Sequence, residues 1–319
     1  MFLIFLIIIS VISGCVLPTG EPFESKTPVG TGVIIEHFGP DFPDVHSGEE
    51  VEFTLRVKNT GSVKAENGFA ELLGLDEVWE GGAGAQAGGT GEVFPDEIKC
   101  RYTNKWITML PEDPYSGITG GEETCTWRYI APQVLPGLST PYKAKVRFFY
   151  SYRSSTIKMV TLVSKEELKA LQDQGKGLPS ESYSKTKSPI SLDIETASPI
   201  RTYGNYVEFP IVITIKNIGG GTVCSSVDKC KKDGWGMNEG WYKLNLDILL
   251  PQGMTLNVCS YKENVVLIGD RPQTISCKVV ADTSQQIGII QKNIELRAEY
   301  GYFIDKTADV LVYPSTEPR

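Results

Sequence analysis

Three short landmarks occur twice in this chain, in the same order, and they constrain its fold more than any other feature. Val51-Glu52-Phe53 runs through alternating apolar and polar residues into Lys58-Asn59-Thr60-Gly61, and Val207-Glu208-Phe209 runs likewise into Lys216-Asn217-Ile218-Gly219. Cys100-Arg101-Tyr102 and Cys125 are matched by Cys259-Ser260-Tyr261 and Cys277. Arg147-Phe148-Phe149-Tyr150-Ser151-Tyr152 and Arg297-Ala298-Glu299-Tyr300-Gly301-Tyr302 share Arg-x-x-Tyr-x-Tyr. The offsets between partners run only from 150 to 159 residues, which implies an internal duplication.

Within each copy, β-branched residues alternate with polar ones at period two, and Asn-x-Gly supplies a turn. Several short strands with turn signals about every 8–12 residues predict an antiparallel sandwich. The fold class expected is therefore all-β, with one domain over residues 30–163 and a second over 190–315. Each copy is expected to close with a separate apolar strand, at 159–163 and 310–313. The segment 164–189 reads as a short helix and linker. Ser164 is its N-cap, Glu167 sits at the third helical position, Leu168 and Leu171 form a narrow apolar stripe, and Gly175 follows Gln174 as a stop. The four tyrosines 150, 152, 300 and 302 recur on one strand face, as structural residues would.

Residues 1–15 read MFLIFLIIISVISGC: an apolar core from Phe2 to Ile12, then small residues ahead of Cys15. This matches a signal peptide over 1–14, and Ile12-Ser13-Gly14-Cys15 resembles a lipobox, which would make Cys15 the lipidated first residue of the mature chain. No Lys or Arg precedes the apolar run, and an uncleaved anchor or plain secretion are the alternatives. A spanning helix needs roughly 20 apolar residues, and Pro18 and Gly20 interrupt this run early. Residues 15–29, rich in Pro, Ser and Thr, form the tether.

Setting Cys15 aside leaves six cysteines, an even number that fits three disulfides in an exported chain. The repeat pairs Cys100 with Cys125 and Cys259 with Cys277, leaving Cys224 and Cys230 to staple a loop. None of these spacings suits zinc.

The Gly48-Glu49-x-Val51 start, the strand into Lys58-Asn59-Thr60-Gly61 and the second copy at Lys216-Asn217-Ile218-Gly219 resemble CARDB-type modules of archaeal and bacterial cell surfaces. That resemblance implies two tandem Ig-like sandwiches, an envelope location and a role in adhesion or envelope architecture. The disulfides and the Arg-x-x-Tyr-x-Tyr element depart from the family pattern.

Little in the chain points to catalysis. His37 and His46, its two histidines, lie apart from any nucleophile motif, and no HExxH, P-loop or EF-hand loop is present. The glycine run from Gly81 to Gly89 contains a formal GxGxxA, but no helical pattern follows it, so a hairpin tip is expected. Glu36, Asp41 and Asp44 lack recognisable calcium-ligand spacing and read as solvated acidic surface. No catalytic residue, metal or cofactor is therefore assigned. Residues 16–99 hold 16 Asp and Glu against 5 Lys and Arg, which excludes a nucleic-acid partner.

Aromatic residues in stapled loops are the remaining candidates for contact: Trp235 in the Gly219-to-Gly240 insertion, and Trp106 and Tyr115 between Cys100 and Cys125. The sequence thus predicts a non-enzymatic lipoprotein on the outer face of the cytoplasmic membrane. Its partners would be the membrane, through the lipid, and an envelope protein or polysaccharide. A filament or secretion subunit that pairs through an edge strand is the alternative, and an envelope enzyme with an interdomain site a more distant one.

Overall fold

In a computed structural model, residues 32–75, 78–81, 106–113, 115–231, 239–260, 263–284 and 288–315 are described. The described residues are all-β apart from the helix Lys165–Asp173 and a single helical turn at Asp228–Cys230. The helix starts as its sequence dictates: Ser164 Oγ accepts from the Glu167 amide at 3.2 Å, and Gly175 follows with φ of 63°. Leu168 and Leu171 are half-buried.

Two antiparallel outer sheets are built from the repeated strands. The first runs in the order Val33–Pro40, Glu50–Asn59, Glu122–Ile130, Glu80–Gly81; the second, Ile190–Thr196, Tyr206–Asn217, Gln273–Asp282, Met254–Cys259. Alternation sets which face is buried. Val51, Phe53, Leu55 and Val57 are inaccessible, as are Ile211, Ile213 and Ile215 in the second sheet.

The register of the two sheets corresponds. Leu55 lies opposite Cys125 and Ile211 opposite Cys277, equivalent positions once Val51-Glu52-Phe53 is laid on Val207-Glu208-Phe209. Cys259 and Cys277 are cross-strand neighbours and disulfide-bonded, and Cys224 is bonded to Cys230. Cys125 is also disulfide-bonded; Cys100 and Cys15 lie outside the described residues.

The closing strands differ from expectation. Residues 159–163 and 310–313 are not strands of their own but the ends of two 25-residue strands, Thr140–Ser164 and Ile289–Tyr313. These pair antiparallel without interruption from Thr140↔Val312 to Val163↔Ile289, over roughly 80 Å at 3.3 Å per residue. The sequence conceals their continuity because polar residues face inward midway. Ser154 and Thr156 are buried: Ser154 Oγ bonds Ser188 Oγ and Tyr300 Oη, each at 2.8 Å, and Thr156 Oγ1 donates to the Leu192 carbonyl at 2.6 Å.

The long pair forms the spine of a central sheet shared by both halves of the chain. Ala65–Leu73 pairs with the early part of the first long strand, while Tyr183–Lys185 and Ile200–Thr202 pair with its end. Asp247–Leu249 pairs with the start of the second long strand, and Asp44–His46 with its end. Each long strand therefore leaves its own half of the chain and completes the other half's layer. Cutting the chain after residue 163 would not separate two layers.

Both outer sheets and the central sheet contribute to one contiguous apolar core. Its first part is aromatic, with Trp79 edge-on to Phe53, Tyr129 and Tyr142; its second is built from Ile, Leu and Val. Midway, Ser151 faces Gly301, and Tyr150, Tyr152, Tyr300 and Tyr302 are buried around them.

Candidate functional site

In the first long strand, Phe148, Tyr150 and Tyr152 face the core, so Phe149 and Arg147 project from the opposite face of the sheet. Phe149 lies opposite Phe69 on one side and Phe303 on the other. The result is a continuous row of rings. Trp106 to Phe69 is 5.1 Å between centroids, Phe69 to Phe149 4.6 Å, Phe149 to Phe303 5.6 Å, and Phe303 to Trp241 5.2 Å. Offset and edge-on pairs at such spacing are favourable beyond the area they bury.

Cations lie against this row. The Arg147 guanidinium sits 4.1 Å from the Phe303 centroid and 5.5 Å from that of Trp241. It also grips its cross-strand neighbour Asp305 with two hydrogen bonds, at 2.7 and 2.8 Å, and Lys145 reaches the same carboxylate at 2.6 Å. Burial by itself would push the Asp305 carboxyl up, but the bonds from Arg147 and Lys145 outweigh it and hold the group below its ordinary value. Lys231 Nζ lies 4.8 Å from the Phe69 centroid and 5.8 Å from that of Trp106.

The stapled loop roofs one end of the row. Gly301 permits this, because an added Cβ would fall 2.3 Å from the Ser226 carbonyl carbon and 2.4 Å from the Val227 nitrogen. Trp241 anchors the loop's return by donating from Nε1 to the Cys230 carbonyl at 2.8 Å. Phe69, Phe149 and Phe303 are thereby buried, whereas Trp106 stays 43% exposed at the open end.

The equivalent stretch of the long-strand pair carries no such row. At an offset of 150 residues, Phe149 and Phe303 correspond to Glu299 and Arg153, an exposed cross-strand ion pair at 3.9 Å. The aromatic row therefore does not belong to the shared scaffold.

Of the expected contact residues, Trp106 lies in this row, beside the stapled loop that the sequence singled out separately. Trp235 lies outside the described residues. Tyr115 projects fully into solvent from the turn between Asp113 and Ile118, apart from the row. Phe69, Phe149, Phe303, Arg147 and Asp305 were missed by sequence reasoning. The available signal was the unbroken Phe148-Phe149-Tyr150, which puts aromatic rings on both faces of one strand.

The other candidates do not converge. Glu36 faces Lys58, while Asp41 accepts from the amides of Phe42 and Glu52. His46 packs on Tyr313 and faces Glu49. Among the described residues no group of three metal-ligating side chains occurs, and no helix is long and apolar enough to cross a membrane. A shallow depression beside the helix start is lined by Ser164, Lys165, Glu166, Thr202, Tyr203, Gly204 and Thr283. The sequence matches no protein-family model and no curated protein.

Proposed function

We propose that this chain is an exported, membrane-held binding protein whose contact surface is the open end of the aromatic row. The observation carrying this is the row's asymmetry: of the two stretches of the long-strand pair related by the 150-residue offset, the one at Phe149 and Phe303 bears aromatic rings, flanking cations and a disulfide-stapled roof, and the one at Arg153 and Glu299 bears an ion pair. Scaffold needs explain features present in both halves; they do not explain Trp106 beside Lys231. A half-exposed Trp next to a cation suits an envelope protein or polysaccharide in an adhesive or architectural role.

The rest of this reading is drawn from the sequence and is compatible with the fold. The two disulfides among the described residues fit an oxidising compartment outside the cytoplasm. The corresponding registers support an internal duplication of CARDB-type, Ig-like sandwiches, and Cys15 is the lipid anchor. No catalytic role is proposed. Bulges between Ile35 and His37, and between Leu256 and Val258, blunt edge strands of both outer sheets, which favours a binding module over a strand-adding filament subunit.

Binding of the full chain to intact cells or isolated envelopes tests this directly. Trp106→Ala and Lys231→Ala should each weaken binding about tenfold or more, the range of interfacial hot spots, while Arg153→Ala, at the equivalent stretch of the long-strand pair, leaves it unchanged. Equal binding by all three variants would place the contact surface elsewhere. The mass of the mature N-terminal peptide reports separately on Cys15.

A further inference from the structure

We infer that the turn bearing Leu110, Tyr115 and Ile118 docks on the lipid bilayer to which the N-terminal segment holds the chain. This rests on the reading of residues 1–15 as membrane-directed, and its test separates the two. Tyr115 is fully exposed and Ile118 59% exposed in the short turn closed by the Asp113–Ile118 bridge, and Leu110, 64% exposed, lies just ahead of it where its carbonyl accepts from the Gly121 amide. Nothing in the layered core needs these side chains in solvent, and apolar residues grouped on a protruding turn mark an interaction site. Tyr, with an apolar ring and a polar tip, suits the membrane–water boundary.

The position of the turn selects the bilayer as its occupant. The described chain begins at Gly32, whose carbonyl accepts from the Thr60 amide at 2.8 Å and the Thr60 hydroxyl at 2.9 Å. The next residue, Gly61, accepts from the Glu112 amide at 3.3 Å. The tether's root therefore lies two hydrogen-bonded steps from the turn, so a body drawn to the membrane by that tether presents Leu110, Tyr115 and Ile118 beside the point of attachment. Leu135 and Leu138, also exposed, follow Val134 on a loop held by Ser47 next to Tyr313, at the opposite strand ends of the first outer sheet.

The carboxylates of the turn do not oppose docking. Glu112 pairs with Lys187 at 3.3 Å. Asp113 is turned back into the loop, accepting from the Ser116 hydroxyl and the Tyr115 amide. Each carboxylate thus already has a partner within the protein.

The test is the full chain with Tyr115→Trp, reconstituted into vesicles of phosphatidylcholine and phosphatidylglycerol with doxyl-labelled acyl chains. Its emission is read as the difference from wild type. Docking predicts a blue-shifted difference emission quenched by the doxyl lipid, with quenching lost when Leu110→Ser and Ile118→Ser are added. Vesicle flotation reports on the N-terminal attachment in the same samples. A chain that floats but whose difference emission is quenched only by aqueous acrylamide overturns docking and leaves the attachment standing. A blue-shifted emission insensitive to doxyl lipid means that protein covers the turn, which also overturns it. A chain that does not float overturns both.

Discussion

Tyr302 donates its hydroxyl to Asn217 Oδ1 at 2.7 Å, and the Gly221 amide donates to the same tyrosine oxygen at 2.8 Å. In the first half, Tyr152 meets Asn59 at 3.3 Å, with the Val63 amide behind it at 3.4 Å. The repeated landmarks thus complete each other: the last tyrosine of Arg-x-x-Tyr-x-Tyr locks the asparagine of Lys-Asn-x-Gly. The glycine leaves room for the hydroxyl, since an added Cβ would sit 2.0 Å from Tyr152 Oη at Gly61 and 2.7 Å from Tyr302 Oη at Gly219. Both asparagines are buried, and each also binds a turn carbonyl, Val63 for Asn59 and Gly221 for Asn217.

Removing the Tyr302 hydroxyl strands buried partners, a loss of about 1–3 kcal/mol. Tyr302→Phe should lower stability in urea unfolding by that amount, and Tyr152→Phe by less, because its bonds are longer. Asn217→Ala, which also frees the Gly221 carbonyl, should cost more than either. Equal stability of wild type and Tyr302→Phe would show that the lock does not hold the turn.

Alkaline pH should unfold the protein steeply. Burial pushes the hydroxyls of Tyr150, Tyr152, Tyr300 and Tyr302 above the ordinary value of 10.0. Above that pH the unfolded chain releases protons that the folded chain keeps, so the stability these groups contribute is complete below pH 10 and lost as pH rises. Each buried tyrosine steepens the loss by about 1.4 kcal/mol per pH unit. Urea midpoints followed from pH 9 upward should fall less steeply in Tyr302→Phe than in wild type. If all tyrosinate absorbance developed while the protein stayed folded, the buried cluster would be disproved.

Gly301 should tolerate no side chain. Gly301→Ala drives a methyl into the Ser226 backbone, and overpacking of this kind costs about 1–3 kcal/mol. Because the strain falls on the stapled loop, residues 225–230 should become protease-sensitive and Trp241 fluorescence should shift. Ser151→Ala, on the partner strand, should change stability by less than about 0.5 kcal/mol, since its hydroxyl makes an exposed contact with Asn67.

Acid should act through Asp305. A carboxylate held low in the folded state contributes stability above its unfolded value, near 3.8, and loses it as pH falls through the folded value. The difference in stability between pH 7 and pH 3 should therefore shrink in Asp305→Asn. At pH 7 that variant should be the less stable, because Arg147 is left against Phe303 without its carboxylate. An unchanged pH dependence would remove Asp305 from the account.

Residues whose role is local were readable in order along the chain. Alternation at Val51, Phe53, Leu55 and Val57 specified strand and buried face, Ser164 and Gly175 bounded the helix, and the repeat paired Cys259 with Cys277 and Cys224 with Cys230. The continuity of the two long strands was hidden, because Ser154 and Thr156 break the apolar alternation and are satisfied only by partners far away in sequence. The aromatic row was hidden for the same reason. Phe69, Phe149 and Phe303 come from strands distant in sequence, and Trp106 gains Lys231 only once the stapled loop settles over Gly301. Periodicity, capping and turn chemistry act between neighbours, so sequence alone determined the all-β class, the strand faces, the helix and two of the disulfides. The strand exchange between halves and the surface it builds depend on hydrogen-bond registry between segments about 150 residues apart, and registry at that range exists only in the folded sheet.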